Sequence, residues 1–582
     1  MKRRQWKNRA LAAVLCLGLA AGAAGCNEPK GLARLTGLSG LKYAGQCGSI
    51  TLEMAEIKLV KCDEAAFEAQ KQTVEENLAL VNSVPEEEIQ AMSQDEQDLY
   101  KMTKENLTRQ RALYDYRLLW EPNCGIFGLH AELPLTLEQY EIVYEYDLEN
   151  RIELTEEAAA CLDSVLAFQQ EKAAAGLFME DAQADEVIQF CRNFAKEPES
   201  IYLIEDFNKK VDSMEESETF TAEDREKLKQ THKQAVTEKL APAYLRLADG
   251  LEALKGKDQG GGLCKTEEGK AYYRALAAYR TGSDKTPEEM AAMLDEALKE
   301  NDKAWNRALN KNGKLLEKTQ KTKCNTKDPD ALMEHLKQAY KTAFPAVEEP
   351  EFSLAEFDAQ LANNGTGGLI YLNNHTIYLP DKDNLTESTL YFTLAHEGYP
   401  GHLYQSAYGK TLPYTELTDF LCFDGYTEGW AKYAELYSAK WAQDTEEEQA
   451  FMANEQLAII LMQARIDIGV NLEGWDKAKV KQILGKYNFY NRASDVQAYW
   501  NDATASPGGY LPYAIGYLEL EALREQAQQA LGEKYSDMGF HTAVMECGVS
   551  PFWRVKKHVE RYIETTLHPQ AEPEKTEEKT AA

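Results

Sequence analysis

Residues 394–405 read Leu-Ala-His-Glu-Gly-Tyr-Pro-Gly-His-Leu-Tyr-Gln, and residues 424–435 read Asp-Gly-Tyr-Thr-Glu-Gly-Trp-Ala-Lys-Tyr-Ala-Glu. Leu390, Leu394 and Ala395 give the run-up to the first stretch an apolar side. This predicts a helix capped by Asn384, with Glu387 closing a capping box. His396 and Glu397 then fall near the helix end, and His402 follows six residues after His396. On an unbroken helix that spacing is ~240° of rotation and ~9 Å of rise, so the two imidazoles could not share an ion. Pro400-Gly401 lies between them. Proline removes a backbone donor and glycine admits dihedrals closed to other residues, so the helix is expected to break there and bring the rings together.

These residue types suit one chemistry. A catalytic zinc takes three protein ligands and keeps one position open, and a nearby carboxylate can accept a proton from water. His396 and His402 are two expected ligands, and Glu397 is the expected base. Residues 424–435 predict a second helix, on which Glu428 and Glu435 are seven apart and share a face. Glu428 is the expected third ligand, with Glu435 orienting a histidine through its other ring nitrogen. The reverse assignment of the two glutamates stays open, and zinc is favoured by ligand type alone.

Around this centre the chain reads as mostly α. From about Leu52 to Ala343 the pattern is long, charged and helical. Thr286-Pro287-Glu288-Glu289 is a helix start with cap, first-turn proline and capping-box glutamate. Gln259-Gly260-Gly261-Gly262 is a break, and Pro345 to Pro350 is a candidate boundary. Gly367–Leu372 and Thr376–Leu379 predict a small hairpin or edge sheet beside the metal-binding helix, with a turn at Asn373-Asn374-His375. Such a strand could add a peptide substrate as a further strand. Arg465 and Asp467 lie in a segment apolar nearly all round, so both are expected to be buried and paired, structurally or behind the metal ligands.

The chain has 582 residues, 44% apolar and 27% charged, which allows a large core. Its 96 acidic and 64 basic residues give a formal charge of −32, which argues against nucleic acid or anionic lipid as partners. Lys2, Arg3, Arg4, Lys7 and Arg9 precede an apolar run, Ala10 to Gly25, too short to span a bilayer. The run ends in Ala23-Ala24-Gly25-Cys26, resembling a bacterial lipobox. Residues 1–25 are therefore expected to be a lipoprotein signal peptide, and Cys26 the lipidation site holding an exported protein to the outer face of a bacterial membrane. The remaining division expected is a helical region over 26–350, a catalytic metal-binding region over 351–570, and a disordered acidic tail over 571–582. Cysteines are scattered without C-x-x-C spacing and are expected to be mostly free core thiols.

The pattern His396-Glu397-x-x-Pro400-Gly401-His402-x-x-Gln405, followed by Glu428-Gly429-Trp430 with Tyr433 and Glu435, resembles the bacterial family called domain of unknown function 885. Gly269 to Tyr273, Arg465 to Gly469, Pro507-Gly508 with Tyr513 to Gly516, and Phe540-His541 resemble further blocks of that family. Departures are Leu403, where the family often has a histidine, and the absence of a glutamine near Gly509. The family looks related to thimet-type oligopeptidases and Taq-type carboxypeptidases. The resemblance implies a large helical, zincin-like metallopeptidase with a substrate channel, acting on short peptides. It also implies an oxyanion donor in the Gly/Tyr-rich stretch 508–517: Tyr513 first, then Tyr510, with His541 in reserve. Two other functions fit the same residues, a zinc amidohydrolase acting on cell-wall peptides and a non-catalytic peptide-binding lipoprotein. An intact Glu397 argues against the last.

Overall fold

The computed structural model of the chain describes residues 31–36, 41–43, 45–53, 56–123, 128–215, 220–257, 260–361, 371–373, 375–379 and 385–569. The expected signal peptide with Cys26, strand residues Gly367–Ile370, Asn384 and the tail lie outside them. The described residues are predominantly helical and carry one two-stranded and one three-stranded sheet. They form two compact units, Met1–Gly261 with Asp358–Gly367, and Gly262–Phe357 with Gly368–Ala582.

The first unit opens with an antiparallel hairpin, β1 (Ile50–Glu53) and β2 (Glu56–Leu59), in which Ile50 faces Leu59. Helices α1 (Glu64–Asn82) and α2 (Gln94–Leu113) pack together, and α2 starts with a full Ser93–Glu96 capping box. Behind them, α3 (Glu145–Ala174) and α4 (Asp181–Phe194) pack against α5 (Ala241–Leu254). Leu162, Val165, Cys191, Tyr244 and Leu251 are buried in this helical layer.

In the second unit, α6 (Glu267–Thr281) and α7 (Pro287–Lys311) carry Tyr273, Met290, Leu294 and Leu298 into one core. That core includes Leu461, Ile466 and Ile468 of α12 (Glu446–Asn471), with α8 to α11 defined below, and Trp500 of α13 (Ala493–Ala505). The chain passes from one unit to the other at Gly261, in the glycine-rich break, and again at Phe357 and Gly367. A helix as apolar all round as α12 must be covered on several sides, and the amphipathic stripes of α6 and α7 supply that cover. α7 has the expected Thr286 cap and Glu289 capping box. The eight described cysteines, Cys47, Cys62, Cys161, Cys191, Cys264, Cys324, Cys422 and Cys547, form no disulfide with one another.

The expected hairpin forms between β4 (Tyr371–Asn373) and β5 (Thr376–Leu379), and β3 (Ser353–Glu356) adds in parallel to β5, giving the order β3-β5-β4. His375 takes a left-handed φ of 62° in the turn. Its Nε2 accepts from Lys410 Nζ (3.1 Å), just past the helix that begins at His402. β3 has no strand-like alternation of its own and is fixed by pairing.

The remaining helices frame the motif: α8 (Pro329–Ala339), α9 (Glu387–Glu397), α10 (His402–Gly409), α11 (Asp424–Tyr437), α14 (Leu511–Leu531), α15 (Asp537–Met545) and α16 (Phe552–Leu567). One face of α11 is glycine. A Cβ on Gly425 would lie 2.0 Å from the Thr281 carbonyl oxygen of α6, and one on Gly429 2.5 Å from Gly516 Cα of α14. This crossing sets Glu428 on α11 against Tyr513 on α14. Gly429→Val is expected to force the helices apart at a cost of about 1–3 kcal/mol, read as a lowered thermal unfolding midpoint. An unchanged midpoint would contradict the tight crossing.

Candidate metal centre

Helix α9 begins one turn before its first buried leucine, but its cap is Thr386, whose Oγ1 accepts from Thr389 N (3.0 Å). Asn384 lies outside the described residues, and Glu387 closes no box. Its carboxylate is buried and accepts from Thr322 N (2.9 Å) and Thr322 Oγ1. At the other end, Gly398 N still donates to Leu394 O (2.9 Å), the Tyr399–Pro400 bond is cis, and Gly401 N donates back to Ala395 O (3.0 Å). A Cβ on Gly401 would sit 1.7 Å from the carbonyl oxygen of His396. Only glycine fits this return of the chain. α10 then starts at His402, and Trp430 Nε1 donates to Pro400 O (3.0 Å), fastening the break to α11.

The break brings the rings of His396 and His402 to a centroid separation of 4.9 Å, near perpendicular. Their Nε2 atoms lie 3.5 and 3.3 Å from Glu428 Oε2. One donor atom each from His396, His402 and Glu428 fall within 4.8 Å of one another. Glu435 stands behind: its Oε2 accepts from His396 Nδ1 (3.0 Å), while Lys432 Nζ donates to both its oxygens (2.8 and 3.0 Å). An ionised carboxylate only accepts, so His396 Nδ1 carries a proton and Nε2 is the nitrogen that would bind an ion once its own proton is lost. Glu428 faces the Nε2 atoms of both histidines, whereas Glu435 meets His396 through Nδ1.

Glu428 Oε2 is buried and has no hydrogen-bond partner. A buried carboxylate oxygen left in this way is costly. A divalent cation held between the three donors would satisfy it, and His-His-Glu is a donor set that zinc accepts. The charges point the same way. Burial opposes ionisation of Glu428, but the two imidazoles outweigh it and hold the carboxyl well below the usual range. Burial also opposes a charge on His396, but Glu428 and Glu435 overcome it and push its pKa up to about 10. Burial raises Glu397 against the pull of both histidines.

The model of a bacterial protein family of unknown function, DUF885, matches residues 43–559. The chain belongs to the DUF885 family. No curated protein matches it. The fold is shared with a chain called a "putative lipoprotein" from Colwellia psychrerythraea, at 18% identity and a TM-score of 0.70, covering 86% of this chain and 92% of that one. A second so described, of unknown function, from Shewanella oneidensis, matches at 15% identity and a TM-score of 0.56, covering 85% and 92%. Among the described residues of this DUF885 chain, no helix is long and apolar enough to cross a membrane.

The other expected site residues separate. Tyr513 stacks on the His396 ring at 6.0 Å, and its hydroxyl pKa is raised by burial and then by Glu428 and Glu397. Tyr510 instead packs on the α7–α12 core and pairs with Asp502. His541 is not a donor to the cluster. Its Nδ1 donates to Ala343 O (2.7 Å), its Nε2 accepts from Tyr433 OH (2.8 Å), it stacks on Phe344, and burial lowers its pKa to about 3. Arg465 touches no ligand. It pairs with Asp295 (2.8 Å) and Glu473 (3.0 Å) and lies 4.4 Å from the centre of the Trp475 ring. Asp467 accepts from Tyr273 OH (3.0 Å), Gly508 N (2.8 Å) and Asn471 Nδ2 (2.8 Å), fixing the turn ahead of α14; burial still raises its carboxyl to about 7. Sequence reasoning missed Lys432, which sat in the quoted motif between the two glutamates, and Arg280, which carried no local signal.

Alanine at His396 or His402, or glutamine at Glu428, is expected to remove metal, whereas Glu397→Gln keeps one ion per chain by elemental analysis. Because His396 must lose a proton, metal affinity in the DUF885 chain should rise with pH from neutrality towards about 10 and binding should release protons. Asp467→Asn turns an amide N–H toward one of three donors. It should cost about 1–3 kcal/mol of stability and leave metal content unchanged.

Proposed function

We propose that this DUF885 chain is an exported, zinc-dependent peptidase acting on short peptides. The observation carrying this reading is the buried, unpartnered Glu428 Oε2 with two imidazole nitrogens turned to it, beside a separate buried carboxylate, Glu397. His396, His402 and Glu428 would hold the ion. When bound, zinc supplies Lewis acidity, which lowers the pKa of water and polarises a carbonyl.

The chain's own residues do the rest. Glu397 takes a proton from water as the water oxygen attacks the peptide carbonyl carbon, then gives a proton to the leaving nitrogen as the C–N bond breaks. Burial raises its pKa and makes it a stronger base than a surface glutamate. Tyr513 keeps its proton at physiological pH, because burial and the nearby carboxylates both oppose its loss. It is the donor best placed to stabilise negative charge on the carbonyl oxygen. Lys432 holds Glu435, and Glu435 holds the His396 tautomer. Strand β4 lies at the edge of its described sheet and could take an extended substrate by strand addition. Export by residues 1–25 and lipidation at Cys26 belong to the same reading; both similar structures carry the description "putative lipoprotein".

A random mixture of short peptides, read by mass spectrometry with and without added zinc, tests this. Cleavage should need the metal. Glu397→Gln should lower kcat about 10²–10⁴-fold and Tyr513→Phe about 10²–10³-fold, both with metal retained. Full turnover by Glu397→Gln, or a chain that binds no stoichiometric metal, would overturn the proposal.

A further inference from the structure

We propose that Arg280 anchors the terminal carboxylate of the substrate, so that the centre removes single residues from peptide C-termini. This rests on the peptidase reading above and names its substrate class.

Arg280 is next to last in α6, and its Nε donates to Asp424 Oδ2 (3.0 Å). Asp424 is the first residue of α11, four residues before Glu428 on the same helical face, which is ~6 Å of rise. The guanidinium is thus held at the residue one helical turn before Glu428. The Gly425–Thr281 contact makes this placement rigid, since the α6 backbone rests directly on α11. Tyr513 stacks on the His396 ring at 6.0 Å, and its hydroxyl feels the charges of Glu428, Glu397 and Arg280.

The basic groups of this region differ in what they have left to give. Lys432 is spent on Glu435, and Arg465 is buried against Asp295, Glu473 and the Trp475 ring. Asp424 also accepts from Cys422 Sγ at Oδ1 (3.0 Å), so both of its oxygens are engaged. Arg280 engages Asp424 through Nε alone, and 30% of its side chain is open to solvent. Its two terminal nitrogens are not used by Asp424, and a guanidinium offers them in the fork that binds a carboxylate through two parallel hydrogen bonds. The spacing suits a last peptide bond. One residue separates the scissile carbonyl from the terminal carboxylate, ~3.5 Å, and a charge-assisted hydrogen bond adds ~2.8 Å, together about one helical turn. A carboxylate arriving here would otherwise meet Glu397 and Asp424, so the acidic surroundings make a cation necessary for such a substrate. In the reaction one water is consumed: its oxygen joins the acyl carbon, the C–N bond breaks, and the nitrogen leaves protonated in one free amino acid.

The test offers the zinc-loaded chain N-acetylated random pentapeptides as free acids and as C-terminal amides, read by mass spectrometry. The free acids should lose one C-terminal residue, and the amides should react at least tenfold more slowly, the penalty expected when a built polar site loses its partner. Arg280→Gln should raise KM for the acids and leave the amides unchanged, with Arg280→Lys intermediate. Metal content and thermal midpoint show whether each variant folds. A binding measurement does not need turnover: in Glu397→Gln, calorimetry should favour N-acetyl-dialanine over its amide, and Arg280→Gln added to that variant should abolish the preference. Equal cleavage of acids and amides at internal bonds overturns the inference and leaves the peptidase reading standing. No cleavage of either, with acid-selective binding that needs Arg280, overturns the peptidase reading and keeps the anchor. No cleavage and no acid preference overturns both.

Discussion

One oxygen atom organises the second unit. Glu428 Oε2 is buried without a hydrogen-bond partner, facing the Nε2 atoms of two imidazoles. Each nearby feature serves that meeting. The return of the chain at Gly401 brings His402 round to His396. The Trp430 indole ties the return to the helix that carries Glu428. Glu435, held by Lys432, fixes which nitrogen of His396 bears its proton. Had Glu428 found an ordinary donor, none of these arrangements would have a common purpose.

The electrostatics are those of a cavity short of positive charge. Glu397, Glu428 and Glu435 are gathered around two imidazoles and one lysine. Without a further cation, His396 takes up a proton against the cost of its own burial. Paired buried charges hold only where geometry and hydrogen bonds are both good, and the one atom lacking a bond is the one aimed at the cluster. Asp467 shows the contrasting case. It is equally buried but fully hydrogen-bonded by three donors, and it serves the backbone turn ahead of α14.

What could be read in the sequence was local or periodic. The six-residue histidine spacing became informative through helical geometry, which forbids sharing an ion unless Pro400-Gly401 breaks the helix. The seven-residue spacing of Glu428 and Glu435 put both on one face, and Thr286 with Glu289 marked a helix start that forms as expected. The rest depended on partners far along the chain. The Thr386 cap displaced Asn384 because Glu387 is recruited by Thr322, and no local pattern announces that. His541 looks in sequence like any histidine beside a motif, and only the Ala343 carbonyl and the Tyr433 hydroxyl reveal it as a packing residue. Arg465 and Asp467 were rightly expected to be buried and paired, but their partners are Asp295, Glu473, Tyr273 and Gly508. The division at Gly261 follows from how α6 and α7 cover α12, a property of three segments together.

The return at Gly401 also bears on how such a chain can change over generations. Every single-base change that alters a glycine codon without ending the chain introduces a residue with a Cβ, and here that carbon would fall on the carbonyl of the neighbouring turn. No missense variant at 401 is therefore neutral for the geometry. The histidines on either side can keep their spacing and still be parted by one nucleotide between them, so drift in this stretch must either spare that codon or forfeit the centre in a single step.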